Sequence, residues 1–131
     1  MFIGAQSLIF SDNKKRLLLI KRSDFPVWTL PGGRKERRES LKKTAIRETL
    51  EETGLRVKII KFVGKYKVWY LPLAGVTSVF VCRRISGSLK RNREVPQLKF
   101  WPIKCLPINL LPYLRKRIRD GLEVVQHKKI S

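Results

Sequence analysis

The sequence is poor in the residues that most metal and nucleophile chemistry uses. It has one histidine, two cysteines and only ten acidic residues against thirty Lys and Arg, for a formal net charge of +20. The lone histidine, His127, lies in the tail and reads as a surface residue with no chemical role. Cys82 and Cys105 lack metal-ligand spacing and read as reduced, packed thiols rather than a disulfide. The longest purely aliphatic run, Leu17 to Ile20, is far too short to span a bilayer, and Met1 to Phe10 carries no basic leader region. These absences exclude a membrane partner and lead us to expect a cytoplasmic protein.

An apolar fraction of 43% is ordinary for a globular chain and argues against disorder. With 131 residues, no internal repeat and no long linker, one domain over residues 1–131 is expected. It would bury roughly two-thirds of its unfolded surface. The basic excess implies polyanionic company. Nucleotide phosphates, RNA and the crowded nucleic acid of the cell all satisfy it, and charge alone does not separate them.

Against this background the few acids are oddly placed. Glu36, Glu39, Glu48, Glu51 and Glu52, half of the ten, fall within seventeen positions. Ser40 suits a helix N-cap and Gly54 a left-handed C-terminal residue, so Leu41 to Thr53 is predicted to be a helix. On it Leu41, Ala45, Ile46, Thr49 and Leu50 spread over one side, and Thr44, Arg47, Glu48, Glu51 and Glu52 gather on the other.

The spacing of Glu48, Glu51 and Glu52 brings three carboxylates to one point beside the helix. Two charges about 6 Å apart repel by about 3 kcal/mol at an effective dielectric of about 20. The negative end of the helix dipole disfavours each acid by a further ~0.3–1 kcal/mol. Arg47 offsets only part of this, so the missing partner is read as a hard divalent cation that takes oxygen ligands, Mg²⁺ or Mn²⁺. The plainer alternative is a surface helix whose acids pair with neighbouring Lys and Arg. What precedes the helix weighs against it: Trp28 to Gly33 reads WTLPGG, where Pro31 halts a strand and two glycines allow close backbone approach to a metal or phosphate.

Gly33, five residues, Glu39, seven residues, then Arg47-Glu48-Thr49-Leu50-Glu51-Glu52-Thr53-Gly54-Leu55 resembles a complete Nudix box. This is the signature of Mg²⁺-dependent hydrolases of nucleoside diphosphates linked to another group. Two departures stand out. Thr49 occupies a position that is usually aliphatic, and Arg37-Arg38 stands where many relatives have Pro-Gly.

The resemblance implies an α/β fold, a Nudix-type α/β/α sandwich with a mixed β-sheet, and metal-assisted cleavage of a phosphoanhydride bond. By the family pattern Glu48 and Glu52 are the leading metal ligands, Glu51 shares that work, and the Gly32 carbonyl joins them. The base is Glu48 or a loop acid such as Glu94. Arg47 orients Glu51 or Glu39, and Glu36 and Glu39 act as outer ligands or orienters. Glu94 to Pro107 resembles a stretch of small sugar-nucleotide pyrophosphatases, which makes ADP-ribose or another nucleotide sugar the first substrate choice. The alternatives are a nucleoside triphosphate or RNA 5′-end pyrophosphohydrolase, and a basic RNA-binding module with an inactive box. A homodimer is left open.

Elsewhere Phe2 to Phe10 and Arg16 to Arg22 read as a hairpin, Ser23 to Val27 as a loop and Val57 to Tyr70 as a strand with one face toward solvent or phosphate. Trp69 and Tyr70 suit either core packing or stacking on a nucleobase, which with Gly33 makes them candidate substrate contacts. Thr77 to Ile85 reads as an interior strand and Ser86 to Arg93 as a basic loop. Leu110 to Leu122 reads as a helix covering the sheet.

Overall fold

The computed structural model describes residues 1–24, 26–70 and 73–127, with the side chains of Trp69, Tyr70, Leu73 and His127 outside that description. The chain runs β1 (Phe2–Ile9), β2 (Arg16–Lys21), β3 (Trp28–Thr29), β4 (Gly32–Arg34), α1 (Leu41–Thr53), β5 (Leu55–Tyr70), β6 (Leu73–Gly87), β7 (Gln97–Pro102) and α2 (Leu114–His127). Four strands form a sheet in the order β4-β1-β6-β5, and three form a second sheet, β3-β2-β7. The larger sheet is mixed, because β1 pairs in parallel with β6 while its other pairs are antiparallel.

Strand alternation divides the core between the two helices. Ala5 and Ile9 of β1 with Phe80 and Cys82 of β6 pack against Ala45 of α1. Leu8, Val79 and Val81 point the other way, into the cluster that holds Leu114 and Ile118 of α2. The mixed sheet thus lies between helices, as expected, and Thr77 to Ile85 falls on the interior strand β6.

Three expectations need correction. The hairpin of Phe2 to Phe10 and Arg16 to Arg22 reduces to one bridge, Phe10 to Leu17, and a bond from Ser11 N–H to the Arg16 carbonyl. Both edges of β1 are taken by β4 and β6, and both edges of β2 by β3 and β7, so the two strands belong to different sheets. The second helix begins at Leu114, not Leu110: Pro112 disfavours helical backbone at Leu111, and Leu110 bridges to Trp28 instead. It runs through Glu123 to His127 rather than ending at Leu122. Of the two free thiols, Cys82 is packed but Cys105 is exposed. Among the described residues no helix is long and apolar enough to cross a membrane.

Helix α1 has the predicted bounds, and its caps follow local chemistry. The Ser40 side chain accepts from Lys43 N–H, and Gly54, at φ 83°, returns its N–H to the Leu50 carbonyl. The two departures in the box also have structural partners. Thr49 is fully buried and donates to Ser7 Oγ at 2.8 Å, so a polar pair joins α1 to β1 where apolar packing is usual. Arg38 adopts φ 64°, the left-handed region, at the position where the resemblance leads one to expect glycine.

Candidate active site

The last turns of α1 face β4. Gly32 and Gly33 pair with Gln6 and Ala5 of β1, which brings the glycine backbone alongside the helix. Glu52 is 4% exposed; its Oε1 accepts from Gly32 N–H at 2.8 Å and its Oε2 from Arg22 Nη1 at 3.1 Å. Burial pushes the Glu52 carboxyl up to about 8, with Glu48 and Glu51 adding to the rise and the Gly32 N–H and Arg22 opposing it. The sequence reading put Glu52 on the polar side of the helix; the structure buries it, because β4 closes over that side.

Arg47 is the hub of the remaining acids. Its Nε and Nη2 grip Glu39 at 2.6 and 3.0 Å, its Nη1 lies 2.6 Å from Glu48 and 3.3 Å from Glu51, and Nη2 donates to the Arg34 carbonyl at 3.2 Å. Glu36 is the outlying member, 3.6 Å from Nη1 and mostly exposed. Glu39 also accepts from the Glu36 N–H and from Thr44 Oγ1, and the guanidinium holds it down to about 2. Burial raises Glu48, with Arg47 opposing. A side chain at Gly33 would run into the Glu48 carboxylate, so glycine there is a requirement of close approach.

Sequence reasoning missed Arg22 and Asp24. Arg22 donates from Nε and Nη2 to the two Asp24 oxygens at 3.0 and 3.2 Å while holding Glu52. Only an acid in a basic chain hinted at Asp24, inside a stretch read as a plain loop. Glu94 is exposed, and among the described residues no hydrogen bond or ion pair joins its carboxylate to the cluster. Its backbone does lie close by, since the Glu94 carbonyl accepts from Ser23 N–H and Asn92 Nδ2 donates to the Glu51 carbonyl. Trp69 and Tyr70 end β5, and their side chains lie outside the described residues.

Beside the acids opens a cavity of about 550 Å³, lined among others by Gly32, Gly33, Glu52, Arg22, Asp24, Gln6, Tyr113 and Arg117. Arg117 also escaped the sequence reading, although its place three residues after Leu114 and one before Ile118 puts it toward the buried face of α2. It is 2% exposed.

The donor set suits a hard divalent cation: carboxylates, one of them buried with its charged form disfavoured, beside a glycine backbone. Among the described residues no three such side chains are grouped so as to hold a metal ion; Arg47 gathers Glu36, Glu39, Glu48 and Glu51, and Arg22 joins Glu52 to Asp24. Two guanidinium groups therefore supply the positive charge that the crowded carboxylates require.

The family model for the NUDIX domain matches residues 1–122. A Bacillus subtilis (strain 168) protein named "Putative 8-oxo-dGTP diphosphatase" is 39% identical over 92% of this chain and 80% of its own length. The "ADP-ribose pyrophosphatase" of Methanocaldococcus jannaschii is 33% identical over 80% of this chain, a match that spans 64% of that protein. Among solved structures, a MutT protein from Methanosarcina mazei Go1 superimposes with a TM-score of 0.82 at 25% identity, covering 93% of this chain and 94% of that one.

Proposed function

The chain belongs to the NUDIX hydrolase family, whose members act on anhydride bonds of nucleotide derivatives, and from that premise we propose a divalent-metal-dependent pyrophosphohydrolase of a nucleoside diphosphate derivative. The observation that carries this reading is the shared lining of cavity and carboxylates. Gly32, Gly33 and Glu52 belong to both, so a nucleoside in the cavity has its phosphates at the glutamates.

In this reading Glu48 and Glu52 hold Mg²⁺ or Mn²⁺, with Glu51 sharing that work and the Gly32 carbonyl joining them. Such an ion, when bound, offsets diphosphate charge and makes a water a better nucleophile. Glu48, raised by burial, accepts the proton of the attacking water. Glu94 is the other candidate for that role, from the loop that docks on the helix end. Arg47 acts by position, fixing Glu39 and Glu48 against each other. Glu36 and Glu39 belong to the outer layer that orients it.

For the substrate, ADP-ribose or another nucleotide sugar remains the choice drawn from Glu94 to Pro107, and the Methanocaldococcus jannaschii relative's name supports it. A nucleoside triphosphate is supported by the Bacillus subtilis relative's name and by the longer match. The +20 charge adds RNA 5′ ends to the alternatives. The test is a phosphate-release screen over nucleotide sugars, nucleoside triphosphates, dinucleoside polyphosphates and 5′-triphosphorylated RNA with Mg²⁺ and Mn²⁺. Metal-dependent release from at least one is expected. Salt-sensitive RNA binding with no release from any would replace this reading by that of an RNA-binding module.

A further inference from the structure

Two further cavities lie along β7, the outer strand of the three-stranded sheet. One, of about 620 Å³, is lined among others by Trp28, Arg91, Gln97, Lys99 and Trp101. The other, of about 430 Å³, is lined among others by Lys14, Lys15, Arg16, Pro102 and Lys104. The register of β7 on β2 sets their order. Gln97 pairs with Lys21, next to the Arg22 that holds Glu52, and Pro102 pairs with Arg16 at the far end of β2. Six residues of strand cover about 20 Å.

Charge along this strand is unbalanced. Arg91 and Lys99 in the first cavity, and Lys14, Lys15, Arg16 and Lys104 in the second, are all exposed. Among the described residues no acid lines either cavity and none of these six cations is in an ion pair. Asp12, in the same turn as Lys14, lines a different cavity. A merely solvated basic face has no use for the aromatic ring set among these cations. Trp101 is partly exposed; Lys99 Nζ lies 4.1 Å from the centre of its ring, and Trp28 supports it edge-on at 5.1 Å. A base stacked on an indole outweighs an exposed cation–π contact, so a base can displace Lys99 and leave its ammonium to the next phosphate.

We propose that the outer edge of β7 docks a single strand of RNA, with a base on Trp101 and phosphates on Arg91, Lys99, Lys104 and the turn from Lys14 to Arg16. A single strand fits and a duplex does not, because stacking on Trp101 takes an unpaired base. The amide of Gln97 lines the track and both donates and accepts, as the 2′-hydroxyl of RNA does. The Gln97 end lies beside Lys21 and Arg22, so an RNA along β7 brings one of its ends toward the carboxylates. The track stands without the pyrophosphohydrolase reading; joined to it, the track favours RNA 5′ ends among the substrates.

The test titrates a fluorescein-labelled oligouridylate of about 12 nucleotides with a 5′-hydroxyl, in EDTA, by fluorescence anisotropy over a range of salt. Leaving out 5′ phosphates and metal keeps the carboxylates from contributing. Binding should weaken with salt and be tighter to this strand than to the same strand as DNA or to its duplex with oligoadenylate. Lys99→Gln with Lys104→Gln removes two phosphate contacts, so affinity should fall about 25-fold at about 0.1 M salt and the log–log salt slope should shrink by about 1.4. Lys61→Gln with Lys65→Gln, exposed on β5 in the other sheet, loses the same charge and should stay within about threefold of wild type. Trp101→Leu, checked by its melting curve, should lose about tenfold with the slope unchanged, because stacking releases no counterion. No binding, equal losses in the two lysine pairs, or an equal grip on the DNA strand or the duplex would overturn the proposal. Binding to phosphatidylserine vesicles in place of RNA would give the face to a membrane and overturn it too. The probe has no anhydride bond, so failure here leaves the pyrophosphohydrolase reading standing, and failure of that reading leaves the track.

Discussion

Arg47 meets Glu39 through a paired contact, Nε 2.6 Å from Oε2 and Nη2 3.0 Å from Oε1, and the same guanidinium holds Glu48 at 2.6 Å. Only a planar fork reaches both carboxylates at once; a lysine ammonium is a single point of charge on a flexible stem. Arg47→Lys should therefore keep the net charge and the fold but lose activity by roughly 10–100-fold, the usual scale for groups that orient metal ligands. Steady-state kinetics with a parallel melting curve would check it. Wild-type kcat/KM in a folded Arg47→Lys protein would remove the hub role.

The parts of this site that were legible in sequence are those specified locally. Ser40, Gly54 and the glutamate spacing lie within one helix, and its bounds emerge as expected. Gly33 was legible because the box fixes its distance from Glu48. What sequence could not supply was partner choice over long separations. β1 takes β6 and β4 rather than β2, and Arg22 crosses 30 positions to reach Glu52. The burial of Glu52 follows from β4 closing on the helix, which helix periodicity does not encode. Arg117 is the opposite case: its spacing from Leu114 and Ile118 marked it as inward, but its charge made it look like a surface residue.

Glu52 is a buried carboxylate raised to about 8, above its ordinary 4.5. A raised acid contributes stability that is fully present below the unfolded value and is lost as pH rises through the folded one. The metal-free protein should therefore lose stability between about pH 4.5 and 8 through this group, and Glu52→Gln should flatten that part of the profile. Millimolar Mg²⁺ or Mn²⁺ should raise the melting temperature of the wild type at neutral pH and do little for Glu52→Gln, which should also have lost nearly all metal-dependent hydrolysis. Full activity in Glu52→Gln, or no metal-dependent shift in the wild type, would remove the ligand assignment.

Gly33→Ala probes close approach. The added methyl would meet Oε2, Cδ and Cγ of Glu48, the end of a side chain, so Glu48 can move while the backbone stays. The melting temperature should fall only modestly. Activity should fall by roughly 100-fold, since an ångström of misplacement at reacting groups has that scale of effect. A crystal structure of the variant should find Glu48 turned away from β4; unchanged Glu48 with reduced activity would point to another cause.

Glu39 runs opposite to Glu52 in pH. Its contact with Arg47 lowers it from 4.5 to about 2, so the stability it contributes is present above about 4.5 and is lost as pH falls through about 2. Glu39→Gln removes the titrating group but leaves an amide that still accepts from Thr44 and the Glu36 N–H. Urea midpoints for the wild type and Glu39→Gln should therefore be furthest apart at pH 5–6 and converge as pH falls toward 2.5. Glu52 pulls the other way over the upper part of that range in both proteins and cancels in the difference. Curves that stay parallel down to pH 2.5 would mean that Glu39 does not carry its charge in the Arg47 contact, and the positioning role given to that pair would fall with it.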